Sequence, residues 1–510
     1  MLAASVDVKA LAVATGVAGV VFFVSQRIYL WYRLKRAPGT RALILSENPI
    51  STLSIALRGV RHHNENRLLD FWASLFEKIP DGDLQAVELV FFGNRLMATS
   101  EPEHVKTMLT SKFTSFGKGE DFHDAWKPFL GDSIFTTDGK LWQNSRSLIR
   151  PMFVKDRIRE LQIFDRGING LFEQLPPSGQ TVDLCDLFYR MTLDVTTEYL
   201  LGASVGSLQD PQSRFSQAFS DVQRASMVLT ILLPIRSFIP KSKYYKGIAV
   251  LEEFIDPFIE KAMALSPSEL ENMTKGDAEV TFLHQVAAFA KDRQVLRDQI
   301  LAVLLAGRDT TAATLSWTIY ELSHYPEIWE KLRNTILDTV GQNGVPTYDD
   351  LKGMTYLTHC INETLRLYPA VPYNIRSCVE TTTLTSPAGQ PDITVLAGDQ
   401  IMYSPLYMQR RPDLYPPTSE TFADPAIYSP ERWEHWTPKP WQYIPFNGGP
   451  RICIGQNFAI TEMAYFLVRL LQKYERIEYR GDWAAQLHKA ELVGCPGKGV
   501  PVALFEPKLV

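Results

Sequence analysis

The stretch that decides the fold reads PFNGGPRICIGQNFAI, Pro445 to Ile460. One cysteine, Cys453, stands two residues after Arg451 and two before Gly455. The chain then enters an apolar-periodic run, NFAITEMAYFLVRLLQKY, whose spacing predicts a helix. The thiol therefore precedes a helix N-terminus, where unpaired N–H groups and partial positive charge favour thiolate over thiol, and a thiolate binds metal well. A buried cysteine is more often a small hydrophobe, so the residue alone is open to either reading.

Around this loop lies a chain of 510 residues, 45% hydrophobic and 21% charged, which can bury a large core. The net charge of −5 and the absence of any Lys/Arg run argue against a nucleic-acid partner. Five cysteines, Cys185, Cys360, Cys378, Cys453 and Cys495, are odd in number and dispersed, with no CxxC pair. That pattern speaks against a disulfide framework or structural zinc and for a reducing compartment.

Near the N-terminus, Ala10 to Val24 is uncharged, roughly 22 Å of helix against a hydrocarbon core about 30 Å thick. Snorkelling of Arg27 and the interfacial aromatics of Ile28 to Tyr32 extend it to a single-pass anchor. No small-residue cleavage site follows, so the segment reads as retained. Lys9 precedes it, whereas Arg27, Arg33, Lys35 and Arg36 follow, which leaves the bulk of the chain cytosolic and the sequons at Asn272 and Asn362 unused. Beyond Pro38-Gly39 no second linker, repeat or low-complexity tract appears. The expected organisation is a membrane anchor with its basic flank over residues 1–36 and one domain over 37–510.

Helical periodicity dominates the middle, most clearly in a long, buried helix from Val295 to about Ser323. Pro405 to Pro450 holds ten of the 32 prolines, which excludes regular helix and interior strand there. Since it leads into the cysteine loop, it reads as an ordered meander.

Phe446, Gly449, Arg451, Cys453 and Gly455 match F-x-x-G-x-R-x-C-x-G at all five fixed positions. The pattern resembles the heme-binding signature of the cytochrome P-450 family of heme-thiolate monooxygenases. The resemblance implies a mainly α, triangular fold with a small β region and a heme b whose proximal iron ligand is Cys453. Gly449 and Gly455 would allow tight turns, Phe446 would lie against the heme, and Arg451 would pair with a propionate.

Three further motifs follow the family's order. LLAGRDTTAATLSW, Leu304 to Trp317, places Gly307 and the weak helix formers Asp309, Thr310 and Thr311 inside the long helix. It is similar to the family's oxygen-binding helix, where a local distortion makes room for dioxygen and Asp309 and Thr310 would relay protons. The bland alternative is polar side chains bonded to i−4 carbonyls. In NETLRLYPAVPYNIR, Glu363 and Arg366 share a helix face, as in the family's E-x-x-R. Arg432 of YSPERW would join them as structural support for the heme pocket. Trp142 and Arg146 of DGKLWQNSRSLIRPMF resemble W-x-x-x-R, whose side chains contact heme propionates, and Arg376 is a further propionate candidate. The hinge RAPGTR departs from the family by lacking a proline-rich run.

The motifs look most like the fungal branch that hydroxylates n-alkanes and fatty acids at or near the chain terminus. Related animal enzymes carry a heme-esterifying glutamate where this chain has Ala306, so no covalent heme is expected. Pocket-lining candidates are Phe113 to Phe129, Val228 to Ile239, Val303, Ala306, Val371, Tyr373 and Val493. The Val228 to Ile239 run is equally readable as helix packing or as a segment dipping into the bilayer. A polyketide, terpenoid or other specialised metabolite is the alternative substrate class. An electron-independent isomerase commonly loses the Asp-Thr pair that is present here. No GxGxxG nucleotide fingerprint occurs, so electrons would come from NADPH through a separate flavoprotein reductase. Arg150, Lys155, Arg157 and Arg159 are candidates for its docking face, or simply a solvated charge cluster. The implied location is the endoplasmic reticulum membrane.

Overall fold

The computed structural model describes residues 8–80, 82–91, 93–153, 161–231, 236, 238–270, 280–420 and 422–507. Helix dominates and strands are short, as the periodicity predicts. Packing gathers the chain into two units, one from residues 1–65, 70–117 and 373–404, the other from residues 66–69, 118–372 and 405–510.

The first unit is built on a six-stranded sheet. Leu43–Ser46 runs parallel to Ala86–Phe91, which pairs antiparallel with Asn94–Thr99. Gln400–Tyr403 lies parallel to Asn94–Thr99 and antiparallel to Asn374–Cys378, and Phe116–Gly117 closes the far edge. Arg95 is buried in this sheet between Glu88 and Asp399, at 2.6 Å from each, and Arg41 pairs with Glu88 as a second cation.

Helix α1, Val8–Arg36, belongs to the same unit. Its residues Val13–Arg36 form, among the described residues, one helix long and apolar enough to cross a membrane. Arg27, expected to snorkel, pairs with Glu47. Leu30 is buried against Val90 and Leu396, and Arg33 donates to the Ala397 carbonyl at 2.6 Å. Arg27 and Arg33 of the basic flank are thus held by the loops beside the sheet. Val8–Ser25, about 27 Å of helix, precedes these contacts.

In the second unit the helices that carry the site are α2 (Glu120–Leu130), α3 (Gly139–Ile149), α4 (Leu184–Leu201), α5 (Arg214–Ile231), α6 (Arg293–His324), α7 (Thr355–Leu367) and α8 (Gln456–Lys473). The 32 residues of α6 extend about 48 Å. Asp292 caps the start, accepting from Gln294 N at 2.8 Å and Val295 N at 3.2 Å, and Pro326 stops the end. Most of α6 is buried all round, which is why its sequence lacks a polar face. Leu315 and Ile319 of α6 join Met191 of α4, Ile361 of α7 and Phe466 and Val468 of α8 in one fully buried core.

Between α7 and α8 the proline-rich meander is ordered, with single helical turns at Pro405–Met408 and Arg432–His435. Among the described residues no longer helix forms there, because each proline removes a donor and blocks the preceding turn.

Candidate active site

Turn geometry builds the cysteine loop. Asn447 and Gly449 take left-handed backbones, φ 62° and 64°. Ile452 N–H then donates to Gly449 O at 3.0 Å, and Cys453 N–H returns to Phe446 O at 2.9 Å. Gly448, which the motif does not specify, is equally constrained: a Cβ there would lie 2.4 Å from the Trp441 ring. Gly455 departs from the expected tight turn. Its φ is −92°, and an added Cβ would meet only Phe153, at an ordinary 3.5 Å. Among the described residues nothing requires glycine at 455.

The Cys453 thiol is exposed by surface area, yet burial raises its pKa. Both hold for an atom on the wall of a recess, reachable by solvent but surrounded by protein. The Gly455 N–H and the Arg146 guanidinium pull the pKa down, as the helix-terminus argument expects, but desolvation outweighs them. A bound cation reverses that balance and deprotonates a coordinating thiol.

Helix α3 delivers Trp142 and Arg146 to this loop. Arg146 donates to Ile452 O at 3.0 Å, and Arg451 lies 4.7 Å above the buried Trp142 ring while bonding Thr137 O at 2.8 Å. Arg451 also pairs with Asp138, a residue that sequence reasoning missed. Asp138 accepts from Lys118 N and Gly119 N as well, so it is a turn-closing carboxylate at the start of α3. Arg146 has no carboxylate partner among the described residues. Arg146 and Arg451 both bring positive charge to the loop, and Asp138 offsets part of it.

On α6, Thr310 and Asp309 are adjacent in sequence but turned to different faces. Thr310 is half-buried, and its hydroxyl donates to Ala306 O at 2.7 Å, the i−4 bond of the bland reading. Asp309 is buried 3.2 Å from Arg308. Burial pushes its carboxyl up, against the pull of Arg308 and Gln223. The expected distortion does not interrupt the helix, which continues as α through this segment. Thr192 of α4 instead caps the Arg308 carbonyl at 2.9 Å, and Gly307 makes room for Thr196, 3.0 Å from where its Cβ would be. Gly307 therefore serves close packing of α4 on α6.

The E-x-x-R pair is no surface salt bridge. Arg366 grips Glu363 with two bonds of 2.7 Å, Arg432 adds a third at 3.3 Å, and all three side chains are fully buried. Trp433 Nε1 also donates to Glu363, at 3.0 Å. Gln409, in the meander and equally unforeseen, donates to the Leu365 and Arg366 carbonyls and accepts from Ile444 N. It splices the end of α7 to the segment entering the cysteine loop.

Other expected residues are placed as follows. Arg376 and Tyr373 belong to the first unit, where Arg376 lies over the Tyr403 ring and Tyr373 packs against Trp72. Val493 packs with Ala313 of α6 and Ala370. Trp126 and Phe129 are core residues of α2: Trp126 donates to Thr230, and Phe129 meets Phe219 edge-on. Of the Val228 to Ile239 run, Leu229 is buried and Phe238 is 86% exposed, while residues 232–235 and 237 lie outside the described residues. Lys155, Arg157, Arg159 and Asn272 also lie outside them.

A single recessed thiol flanked by cations suits one kind of metal group. Among the described residues no three His, Cys, Asp or Glu side chains converge, so a metal held by protein ligands alone is not built here. A lone thiolate fits an iron that arrives within a macrocycle bearing anionic arms, a heme. The class defined is a heme-thiolate protein.

The sequence model described as Cytochrome P-450 matches residues 82–493, and the chain belongs to that family. It is 46% identical over 446 residues to cytochrome P-450 monooxygenase pvhE of Talaromyces variabilis, covering 83% of each chain. It is 37% identical over 426 residues to cytochrome P-450 52A4 of Candida maltosa, covering 79% of this chain and 77% of the relative. The crystal structure of the cytochrome P-450DA heme domain superposes with a TM-score of 0.74 at 20% identity, over 92% of this chain and 98% of that one. The protein is accordingly a monooxygenase of the heme-thiolate class, an oxidoreductase.

Proposed function

We propose that this monooxygenase inserts one atom of dioxygen into a lipophilic substrate at or near the end of a fatty-acid or n-alkane chain, drawing electrons from NADPH through a separate flavoprotein reductase. The observation that carries the site is the Cys453 loop, with its N–H tied to Phe446 O and two guanidiniums beside it. In this reading Cys453 is the axial ligand, and Arg146, Trp142 and Arg451 hold the propionate edge, with Phe446 against the ring and Arg376 as a further propionate contact. When bound, the heme supplies oxygen activation, and a thiolate ligand pushes electron density toward iron and favours O–O cleavage.

The chain's own residues position and protonate. Thr310 presents a hydroxyl on the half-buried stripe of α6, oriented by its bond to Ala306 O. Asp309, held by Arg308 and raised by burial, is able to carry a proton at a pH where an ordinary aspartate has lost it. Val493, expected to line the pocket, lies in an apolar cluster with Ala313 and Ala370, surroundings that suit a hydrocarbon substrate. The catalytic region is residues 37–510, anchored through α1 in the endoplasmic reticulum membrane with its bulk in the cytosol. Arg150, exposed after α3, is the described member of the proposed reductase-docking cluster.

The alternative substrate class is a specialised metabolite, a polyketide or terpenoid, because apolar surroundings pack such a molecule as readily as a hydrocarbon chain. The deciding experiment offers microsomes, reductase, NADPH and isotopically labelled dioxygen a graded series of alkanes and fatty acids. Labelled terminal alcohols support the chain-hydroxylase reading. An intact thiolate carbonyl band with no oxidised chain transfers the search to specialised metabolites.

A further inference from the structure

One cluster in the second unit has no role in the site just described. Trp317 follows Thr310 by seven residues on α6, so it continues the stripe of Ala306, Thr310 and Ala313 about 10 Å along the axis. Its buried indole lies on the Tyr368 ring at 4.0 Å with only 3° between planes. The Tyr368 hydroxyl donates to Oε1 of Glu321 at 2.6 Å, and Arg410 sits over the same ring at 5.2 Å. A second line of rings leaves Trp317 for the surface: Tyr320 at 5.5 Å, then Trp483 at 4.6 Å from Tyr320, half-buried at the edge of the unit.

Packing alone does not ask for this arrangement. A phenylalanine would stack on Trp317 as well as Tyr368 does, without obliging the fold to bury a carboxyl. Indole and phenol are, however, the side chains most readily oxidised by one electron, and a phenol so oxidised must release its proton to an acceptor within hydrogen-bond reach. Burial pushes Glu321 up to about 7, with Arg410 and Arg366 facing it as cations and Glu363 as an anion, so it exchanges a proton near neutral pH.

We propose that Trp317 and Tyr368 form a one-electron relay that discharges unused oxidising equivalents from the heme site, with Glu321 as the proton acceptor and Trp483 as the outlet to solvent. The proposal rests on the reading of Cys453 and α6 as the oxygen-activating site. In each pass Trp317 gives up one electron to the site and Tyr368 refills it. The Tyr368 proton moves to Glu321, leaving a tyrosyl radical and a neutral carboxylic acid. A one-electron reductant in solution, a thiol or ascorbate, supplies an electron that passes from Trp483 across the Tyr320 ring, without oxidising it, to Trp317 and on to the Tyr368 radical, and the proton returns from Glu321. Two passes, with two protons from solvent, reduce the unused oxygen atom to water.

The test mixes substrate-free holoenzyme with hydrogen peroxide, freezes it within milliseconds and records the electron paramagnetic resonance spectrum, using ring-deuterated tyrosine to identify the radical. The wild type is first required to show the thiolate carbonyl band and substrate oxidation; their loss would count against the site itself, not the relay. With both present, a tyrosyl signal is expected that falls at least fivefold in Tyr368→Phe. Glu321→Gln, which keeps a hydrogen-bonding group but removes the proton acceptor, is expected to lower it as well. Heme bleaching under peroxide should be at least twofold faster in both variants at unchanged thermal midpoint. A wild type without a tyrosyl signal, or a signal and bleaching rate unchanged in folded Tyr368→Phe and Glu321→Gln, overturns the relay.

Discussion

The Arg146 guanidinium donates to the Ile452 carbonyl at 3.0 Å, so that α3 is fastened to the residue directly before Cys453. A charged donor on a carbonyl is worth about 1.5–3 kcal/mol, and here it also brings positive charge to the loop. Arg146→Ala should therefore lower heme retention roughly tenfold at matched protein concentration, while Arg146→Lys retains an intermediate share. The heme-to-protein absorbance ratio after gel filtration checks this, and equal ratios in all three proteins would remove Arg146 from the site.

Glu363, Arg366 and Arg432 predict a stability effect without a chemical one. Removing one member of a buried ion pair costs about 3–5 kcal/mol, because its partner is left charged and unsolvated. Glu363→Ala should cut the soluble folded yield sharply. Arg366→Lys, which cannot make the two parallel bonds, should lower the thermal midpoint by more than about 5 °C. The ratio of product to NADPH in whatever folded enzyme survives should match the wild type.

Much of this was legible in the sequence, and the exceptions have a common cause. The signature around Cys453, the long helix α6 and the ordered meander follow from local pattern: fixed spacing, apolar periodicity and proline content. Asp138, Gln409 and Trp433 were not legible, because each acts through a partner far along the chain, and Gly448 was not, because the turn alone brings Trp441 against it; a lone Asp, Gly or Gln in a loop looks like an ordinary turn residue. The partners that the end of α1 finds were not legible for the same reason: Glu47 for Arg27, and Val90 and Leu396 for Leu30. Gly307 looked like a point of helix distortion, and only the neighbouring Thr196 reveals it as a packing glycine.

Glu462 of α8 gives a pH prediction. It is completely buried beside Thr311, and burial pushes its carboxyl from the ordinary 4.5 up to about 8. Between those values the folded chain holds a proton that the unfolded chain has lost, so stability falls as pH rises through the window and levels off above it. Glu462→Gln removes this contribution. The drop in thermal midpoint between pH 5.5 and pH 8.5 should be smaller in the variant, though not abolished, since Glu321 titrates in the same range. An unchanged drop would mean that Glu462 is ionised in the folded protein.

Thr310 separates proton delivery from heme binding. Thr310→Ala deletes the hydroxyl bonded to Ala306 O without touching the cysteine loop, so heme content should be unaltered. The fraction of NADPH electrons recovered as product should fall severalfold and hydrogen peroxide should rise to match. Unchanged coupling would assign the hydroxyl to the helix backbone alone.

Everything proposed for the site depends on Cys453 as the ligand of the heme iron. The direct measurement is the carbonyl difference spectrum of the reduced protein, recorded for the wild type, Cys453→Ser and Cys453→His after confirming that each is folded. The wild type should show the red-shifted band of a thiolate-ligated heme. Cys453→Ser should lose that band or the heme itself, and Cys453→His should move the band to the position of a histidine-ligated heme. A thiolate band that survives in either folded variant would contradict the account and place the ligand at another cysteine.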